Sequence, residues 1–273
     1  MIGVFDSGFG GLTILKAFLT ELPEYDYVYL GDNARTPYGN KSQGVIYAYT
    51  REAVEFLFAK GCRLVILACN TASTKALRKI QQELLPVTYP DRRVLGVVIP
   101  LAEAGVAAAR HGRIGVIGTR ATIESGVYEQ ELAKLNHDLK VYGQACPLLV
   151  PLVEEDWVGK PETNRILKKY LYRLKRKRID TLILGCTHYP FLQKEIERIM
   201  GKNCCVLNGP ETVSTKLRDY LSRHPEIDRK IGRNRTVTFC TTDDPDRFRL
   251  FGQKFLRHNI PEVEQAVLGQ GME

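Results

Sequence analysis

The chain has 273 residues, 44% of them hydrophobic and 26% charged, with a net charge of +8 and a sequence pI near 9.1. That is enough apolar material for one large domain or two modest ones, and the charged fraction is that of an ordinary soluble protein. No apolar run is long enough to span a bilayer, and the opening Met1-Ile2-Gly3-Val4-Phe5-Asp6 reads as a strand rather than a secretory signal.

Taken in order, the first segments alternate between strand and helix patterns. Ile2–Phe5 is a short apolar run, followed by the glycine-rich turn from Asp6 to Gly11. Leu12–Leu22 has helical spacing, and Tyr27–Leu30 is the next strand. Ser42–Lys60 reads as a helix. Leu64–Ala68 (LVILA) is a continuous apolar run, as a buried parallel strand requires. Thr74–Leu85 is expected to be helical and Val94–Ile99 to be a strand.

The same grammar then recurs. IGVF at the start returns as IGVI from Ile114, and LVIL returns as TLIL from Thr181. Leu139–Tyr142 and Cys205–Leu207 fill the places of the second and fourth strands. Four segments in one order at similar spacing indicate duplication. The expected fold is α/β, with two similar lobes related by a pseudo-twofold. Each lobe is a parallel sheet flanked by helices, and the site lies between them. Ligands in such sheets bind at the carboxyl ends of the strands. Residues 1–99 with 211–273 form the first lobe and 100–210 the second. The segments Thr236–Thr242 and Phe248–Leu256 have no counterpart, and are expected to return to the first lobe as a strand and a helix.

Arg165 to Arg178 (RILKKYLYRLKRKR) is the densest basic run. Its apolar members recur at helical spacing, so it reads as an amphipathic helix with a solvated cationic face. Nucleic-acid binding is the rival reading, and no nucleic-acid motif supports it.

The seven cysteines are odd in number and scattered. They form no secreted disulfide framework, and free thiols at strand ends suit a reducing cytoplasm. Neither Cys186-Thr187-His188 nor Cys204-Cys205 has zinc-ligand spacing, so no metal is expected. Cys69 and Cys186 stand apart from the rest. Each follows a buried strand, precedes a helix, and occupies the equivalent place in its repeat. Packing alone need not place cysteine there twice; a reaction that uses two acid/base groups does. The helix start is expected to favour the thiolate form of both.

The surrounding turns are polar. Asp6 ends the first strand, where it can serve as a base, meet an ammonium group or cap a helix. Its turn, Asp6-Ser7-Gly8-Phe9-Gly10-Gly11, is not a dinucleotide or phosphate loop. Gly118-Thr119-Arg120-Ala121-Thr122 is the equivalent turn of the second repeat, and its hydroxyls suit a carboxylate or a helix cap. Pro37-Tyr38-Gly39 marks a further turn.

Together these stretches resemble the glutamate racemases of the aspartate/glutamate racemase superfamily. The matching motifs are GVFDSGFGGLT from Gly3, YLGDNARTPYG from Tyr29, ILACNTAS from Ile66, GVIGTRATI from Gly115, PLVEE from Pro151 and ILGCTHYP from Ile183. CTTDDPDRF from Cys240 resembles the family's ending. Leu207-Asn208-Gly209 departs from the pattern, since many relatives carry an Asp-Ser pair there.

The resemblance implies a homodimeric, cofactor-independent isomerase acting on a small molecule, glutamate, away from membranes and nucleic acid. By motif it makes Cys69 and Cys186 the acid/base pair, with Cys69 acting on D-glutamate and Cys186 on L-glutamate. Asp6 assists Cys69; His188 and Glu154 assist Cys186. Asp6, Ser7, Tyr38, Gly39, Asn70, Thr71, Thr119, Thr122, Thr187 and His188 contact the substrate. Ser7, Thr119 and Thr122 are expected to hold its side-chain carboxylate. Racemisation of aspartate or another small acid, and noncatalytic ligand binding, are the competing readings.

Overall fold

The computed structural model describes residues 1–269. In the first repeat the strands are β1 (Ile2–Asp6), β2 (Tyr27–Gly31), β3 (Leu64–Leu67) and β4 (Arg93–Gly96). In the second they are β5 (Arg113–Gly118), β6 (Lys140–Ala145), β7 (Thr181–Gly185) and β8 (Cys205–Val206). β9 (Val237–Thr241) and β10 (Glu264–Gln265) follow. They form two sheets, ordered β10-β9-β2-β1-β3-β4 and β6-β5-β7-β8. Every pairing is parallel.

The duplication is visible in this order, since β2-β1-β3-β4 and β6-β5-β7-β8 have one and the same topology. β1, β2, β3 and β7 are buried throughout. A parallel strand covered by helices on both faces has no polar side, so its sequence runs apolar without alternation.

The last strand of the first lobe joins as expected, with β9 lying parallel to β2. Pro245–Leu256 is the helix after it. Gly11 precedes the first helix, Leu12–Glu21, and Ser42 caps Gln43–Ala59 by accepting from the Val45 N–H. The basic helix Pro161–Arg176 buries Leu167, Leu171 and Leu174 and leaves Arg165, Lys168, Lys169, Arg173 and Arg176 exposed. Among the described residues no helix is long and apolar enough to cross a membrane.

Three expectations need correction. The helix expected over residues 74–85 begins earlier, at Asn70, and is broken. It is interrupted at Ala76, widens to a π-turn over Ile80–Leu84 and ends in Leu85–Thr88, which contains Pro86. Proline lacks the N–H that a regular helix needs there, and a widened turn accommodates it. The strand expected over 94–99 stops at Gly96, and Val98–Ala108 is a helix. A short apolar run has no periodicity that separates the two states. β6 runs on past Tyr142 to Ala145.

The added strand is tied in by a buried carboxylate just before β2. Asp26 Oδ1 accepts from the N–H groups of Asn234 and Thr236 (2.9 and 3.0 Å) and from Thr236 Oγ1 (2.8 Å). Asp26 Oδ2 accepts from Asn234 Nδ2 at 2.8 Å. Burial alone raises such a carboxyl, but these four donors hold it below its usual range. Asp26→Ala orphans the donors and is expected to cost about 2–4 kcal/mol in urea unfolding at pH 7. A depressed carboxyl stabilises above the unfolded value of about 4, and loses that contribution as pH falls through the folded value. The difference between wild type and variant therefore narrows in acid.

Candidate active site

β3 and β7 end at one place. Leu67 is followed by Ala68 and Cys69, and Gly185 by Cys186, and both thiols line one small cavity between the lobes. Its walls hold Ser7, Thr36, Pro37, Tyr38, Gly39, Asn70, Thr71, Thr119, Thr187 and His188. Cys69 is 6% exposed and Cys186 7%. The cavity volume is about 30 Å³, space for roughly two waters.

The glycine-rich turn after β1 brings the lobes together. A Cβ on Gly10 would lie 2.3 Å from Thr187 Oγ1 and 2.6 Å from His188 Nδ1. Any side chain there would displace the loop that carries Cys186. Gly39 is similar, since its Cβ would lie 2.8 Å from Thr119 Cβ.

The two thiols have different surroundings. Cys69 sits at the start of the helix Asn70–Lys75, with its sulfur 3.4 Å from Ser7 Oγ. Burial pushes this thiol up to about 12, with the nearby Asp6 adding to the shift. The Ser7 hydroxyl and the Ala72 N–H oppose it without prevailing. The expectation that a helix start leaves Cys69 as a thiolate is thus corrected. A six-residue helix supplies only a few dipoles, and desolvation of an anion outweighs them.

Asp6 is fully buried. Its Oδ2 accepts from the Gly8 N–H at 3.0 Å and its Oδ1 from Thr187 Oγ1 at 3.2 Å. Burial raises its carboxyl above the ordinary range, against the pull of His188, the Gly11 and Gly8 N–H groups and Thr187. It does not cap the first helix, whose flanking residue is Gly11.

Cys186 faces a base instead. Its sulfur is 3.8 Å from His188 Nδ1, and His188 Nε2 is 2.9 Å from Glu154 Oε1. Burial alone would lower the imidazole, but Cys186 and Glu154 raise it to about 10. This setting favours the protonated imidazole. Glu154 lies behind it, between the small cavity and a larger one of about 850 Å³.

The remaining polar groups form an interlobe cluster. Thr71 Oγ1 lies 3.0 Å from Thr119 Oγ1 and 3.2 Å from Thr122 Oγ1, which are 3.0 Å from each other. Thr119 also caps its helix by accepting from the Thr122 N–H. Tyr38 lines the cavity, but its hydroxyl donates to the buried Asp32. Asn70 Oδ1 accepts from Tyr128 at 2.6 Å.

The structure thus gathers the residues singled out by sequence. Cys69, Cys186, Ser7, Tyr38, Gly39, Asn70, Thr71, Thr119, Thr187 and His188 line the cavity. Asp6, Glu154 and Thr122 stand one contact behind it. Ser7 engages the Cys69 sulfur, whereas Thr119 and Thr122 engage Thr71. Sequence reasoning missed Thr36 and Pro37, although both lie inside a quoted motif, and Val150 and Tyr128, which carry no local signal.

Similarity to known proteins agrees with this geometry. The family model of Asp/Glu/Hydantoin racemases matches residues 13–211. A glutamate racemase from Chlorobaculum parvum is 42% identical over 96% of this chain and 94% of its own. Glutamate racemase isoform RacE1 from Bacillus anthracis superposes with a TM-score of 0.89 at 34% identity, over 98% of this chain and 97% of that one. The Francisella tularensis glutamate racemase, solved in complex with D-glutamate, gives 0.87 at 34%, over 97% of each. With two cysteine-bearing lobes of one topology and a match over most of its length, the chain belongs to the Asp/Glu/hydantoin racemase family.

Proposed function

We propose that the protein interconverts L- and D-glutamate without a cofactor, using Cys69 and Cys186 as the two acid/base groups. The observation that carries this reading is the arrival of both thiols in one cavity from equivalent strands of two lobes. The named activity of the relatives supports glutamate as the substrate. Its D-product serves peptidoglycan synthesis, as the family resemblance implies.

Inversion needs a proton to leave one face of the α-carbon and another to arrive on the opposite face. In the resting enzyme Cys69 is a thiol, held so by burial and Asp6. Cys186 faces the His188 ring nitrogen at 3.8 Å, and in this reading it is the base toward L-glutamate. On L-glutamate, the Cys186 sulfur takes the α-proton and the electron pair of the C–H bond passes to the α-carbon and its carboxylate. The Cys69 S–H then protonates the other face, leaving Cys69 as thiolate and Cys186 as thiol. The α-proton is far less acidic than a thiol, so donors around the α-carboxylate and exclusion of water must stabilise the carbanion. Asn70, directly after Cys69, offers such a donor in its side-chain amide, and Thr187 follows Cys186 with its hydroxyl held by Asp6.

Cys69→Ser and Cys186→Ser are each expected to abolish racemisation while leaving the fold intact by circular dichroism. Near-full activity in either variant would sink the two-thiol assignment. In D₂O, D-glutamate formed early from L-glutamate is expected to carry solvent deuterium while unreacted L-glutamate stays protiated. Equal early labelling of both would indicate a single base. The same assay with aspartate tests the competing substrate. Activity is expected to survive chelators and carbonyl-trapping reagents.

The protonation assignment has its own check. A thiol near 12 is almost entirely protonated at neutral pH, and its thiolate fraction rises about tenfold per pH unit below that value. Alkylation of Cys69 by iodoacetamide, followed by peptide mass spectrometry, should climb accordingly from pH 7 to 9 (approximate working limits). A rate that is flat across this range contradicts a protonated resting Cys69.

Thr119 and Thr122 offer neutral donors suited to the side-chain carboxylate. Thr119→Val is expected to weaken glutamate binding by about 1–3 kcal/mol and to erode discrimination against glutamine. Wild-type affinity and selectivity in this variant would place that carboxylate elsewhere.

A further inference from the structure

The reacting carbon carries a carboxylate that must accept charge when the proton leaves. Donors near it have to present N–H or O–H rather than a lone pair. Asn70 follows Cys69 directly and lines the cavity. A primary amide is ambiguous, because a half-turn about its last bond exchanges donor for acceptor. Something has to fix its sense.

Tyr128 does this from the other lobe. It lies in the helix Val127–Leu135 and is 1% exposed. Its hydroxyl donates to Asn70 Oδ1 at 2.6 Å. Its ring lies against the backbone of Gly185, the residue before Cys186, where a Cβ would come within 3.3 Å of it. One side chain therefore touches the loops of both cysteines.

The hydrogen bond has a preferred sense. Were the amide reversed, Nδ2 would face Tyr128 and the buried hydroxyl would lose its acceptor; no other partner for it exists among the described residues. An unpaired buried O–H is costly, whereas an unused lone pair on the phenol is not. With Oδ1 committed to Tyr128, Nδ2 is the free end of the amide. It has no partner among the described residues, and it belongs to a side chain on the cavity wall.

We infer that Tyr128 is a positioning residue: it locks the Asn70 amide with its N–H toward the substrate's α-carboxylate, where charge develops as the proton leaves. A lone pair in that place would repel the same charge. The lock forms only when the lobes are together, since its halves come from opposite lobes. Donor and thiols are thus assembled by one closure. This inference rests on the racemase reading and adds to it a residue that never touches substrate.

A double-mutant cycle with Tyr128→Phe and Asn70→Ala tests it, using kcat/KM on L-glutamate and thermal melting of each protein. Asn70→Ala removes a donor at a developing oxyanion and should lower kcat/KM by about 100-fold or more. Tyr128→Phe leaves the amide free to turn and should lower kcat/KM about tenfold. In the Asn70→Ala background Tyr128→Phe should then change kcat/KM by less than about twofold, whatever it does to melting. A purely structural tyrosine would give the same loss in both backgrounds, and that result overturns the inference. So does a Tyr128→Phe enzyme with wild-type kcat/KM.

Asn70→Asp covers the case in which Tyr128→Phe fails to fold. It keeps an acceptor for Tyr128 but shows the substrate an oxygen. It should be less active than Asn70→Ala, and equal or greater activity would refute the donor role. If the wild-type protein exchanges no α-proton on glutamate or aspartate, the racemase reading falls and this inference with it. An active wild type with an additive cycle removes the inference alone.

Discussion

A tetrahedral carbon can be inverted without turning the molecule over only if acid and base stand on opposite faces. The arrangement of β3 and β7, which brings a thiol from each into one cavity, is what the proposed reaction needs under that constraint. Parallel strands all point one way, so everything placed after them gathers at one edge of the sheet. One such sheet offers groups from a single side. Two lobes of one topology offer groups from two. Cys69 and Cys186 are the residues that this duplication brings to one cavity, and the loops after β1 and β5 contribute to its walls.

The duplicated frame is symmetric, but its electrostatics are not. Cys69 has a hydroxyl and a buried carboxylate for neighbours, so its proton is held. Cys186 has an imidazole backed by Glu154. Asp6 also reaches into the other half of the site, accepting from Thr187 of the second lobe.

Much of this was legible in the sequence because parallel strands announce themselves. LVIL and TLIL are buried runs without alternation, and each leads directly into a cysteine. The repeat gave their relation, and the turns after β1 and β5 followed from glycine and threonine placement. What stayed hidden was of two kinds. The helix starting at Val98 continues an apolar run from β4, where composition alone gives no boundary. The thiol of Cys69 was expected to ionise, because a sequence shows the helix that follows but not the depth at which it begins. Tyr128 was invisible for a related reason. Its partner Asn70 lies on the other lobe, and nothing within its own helix distinguishes it from a packing tyrosine.

The same contacts that complete the site also close it. Asp6 with Thr187, Thr13 Oγ1 with the Thr187 carbonyl, Thr71 with Thr119 and Thr122, and Tyr128 with Asn70 all cross between lobes. The cavity they enclose has space for about two waters, which is less than a glutamate occupies. This conformation thus has less free space than the substrate fills. Each crossing hydrogen bond contributes roughly 1 kcal/mol net, so a handful can break and re-form within a catalytic cycle. Gly10 and Gly39 let the lobes approach this closely, because a Cβ at either position would strike the opposite wall. Closure then does three things together. Under the proposed mechanism it would expel water from a carbanion-forming site, align two thiols across one carbon, and bring donors to the carboxylate beside it. A more open and rigid cleft would admit glutamate more easily, yet it would leave solvent to compete with the thiols for the proton.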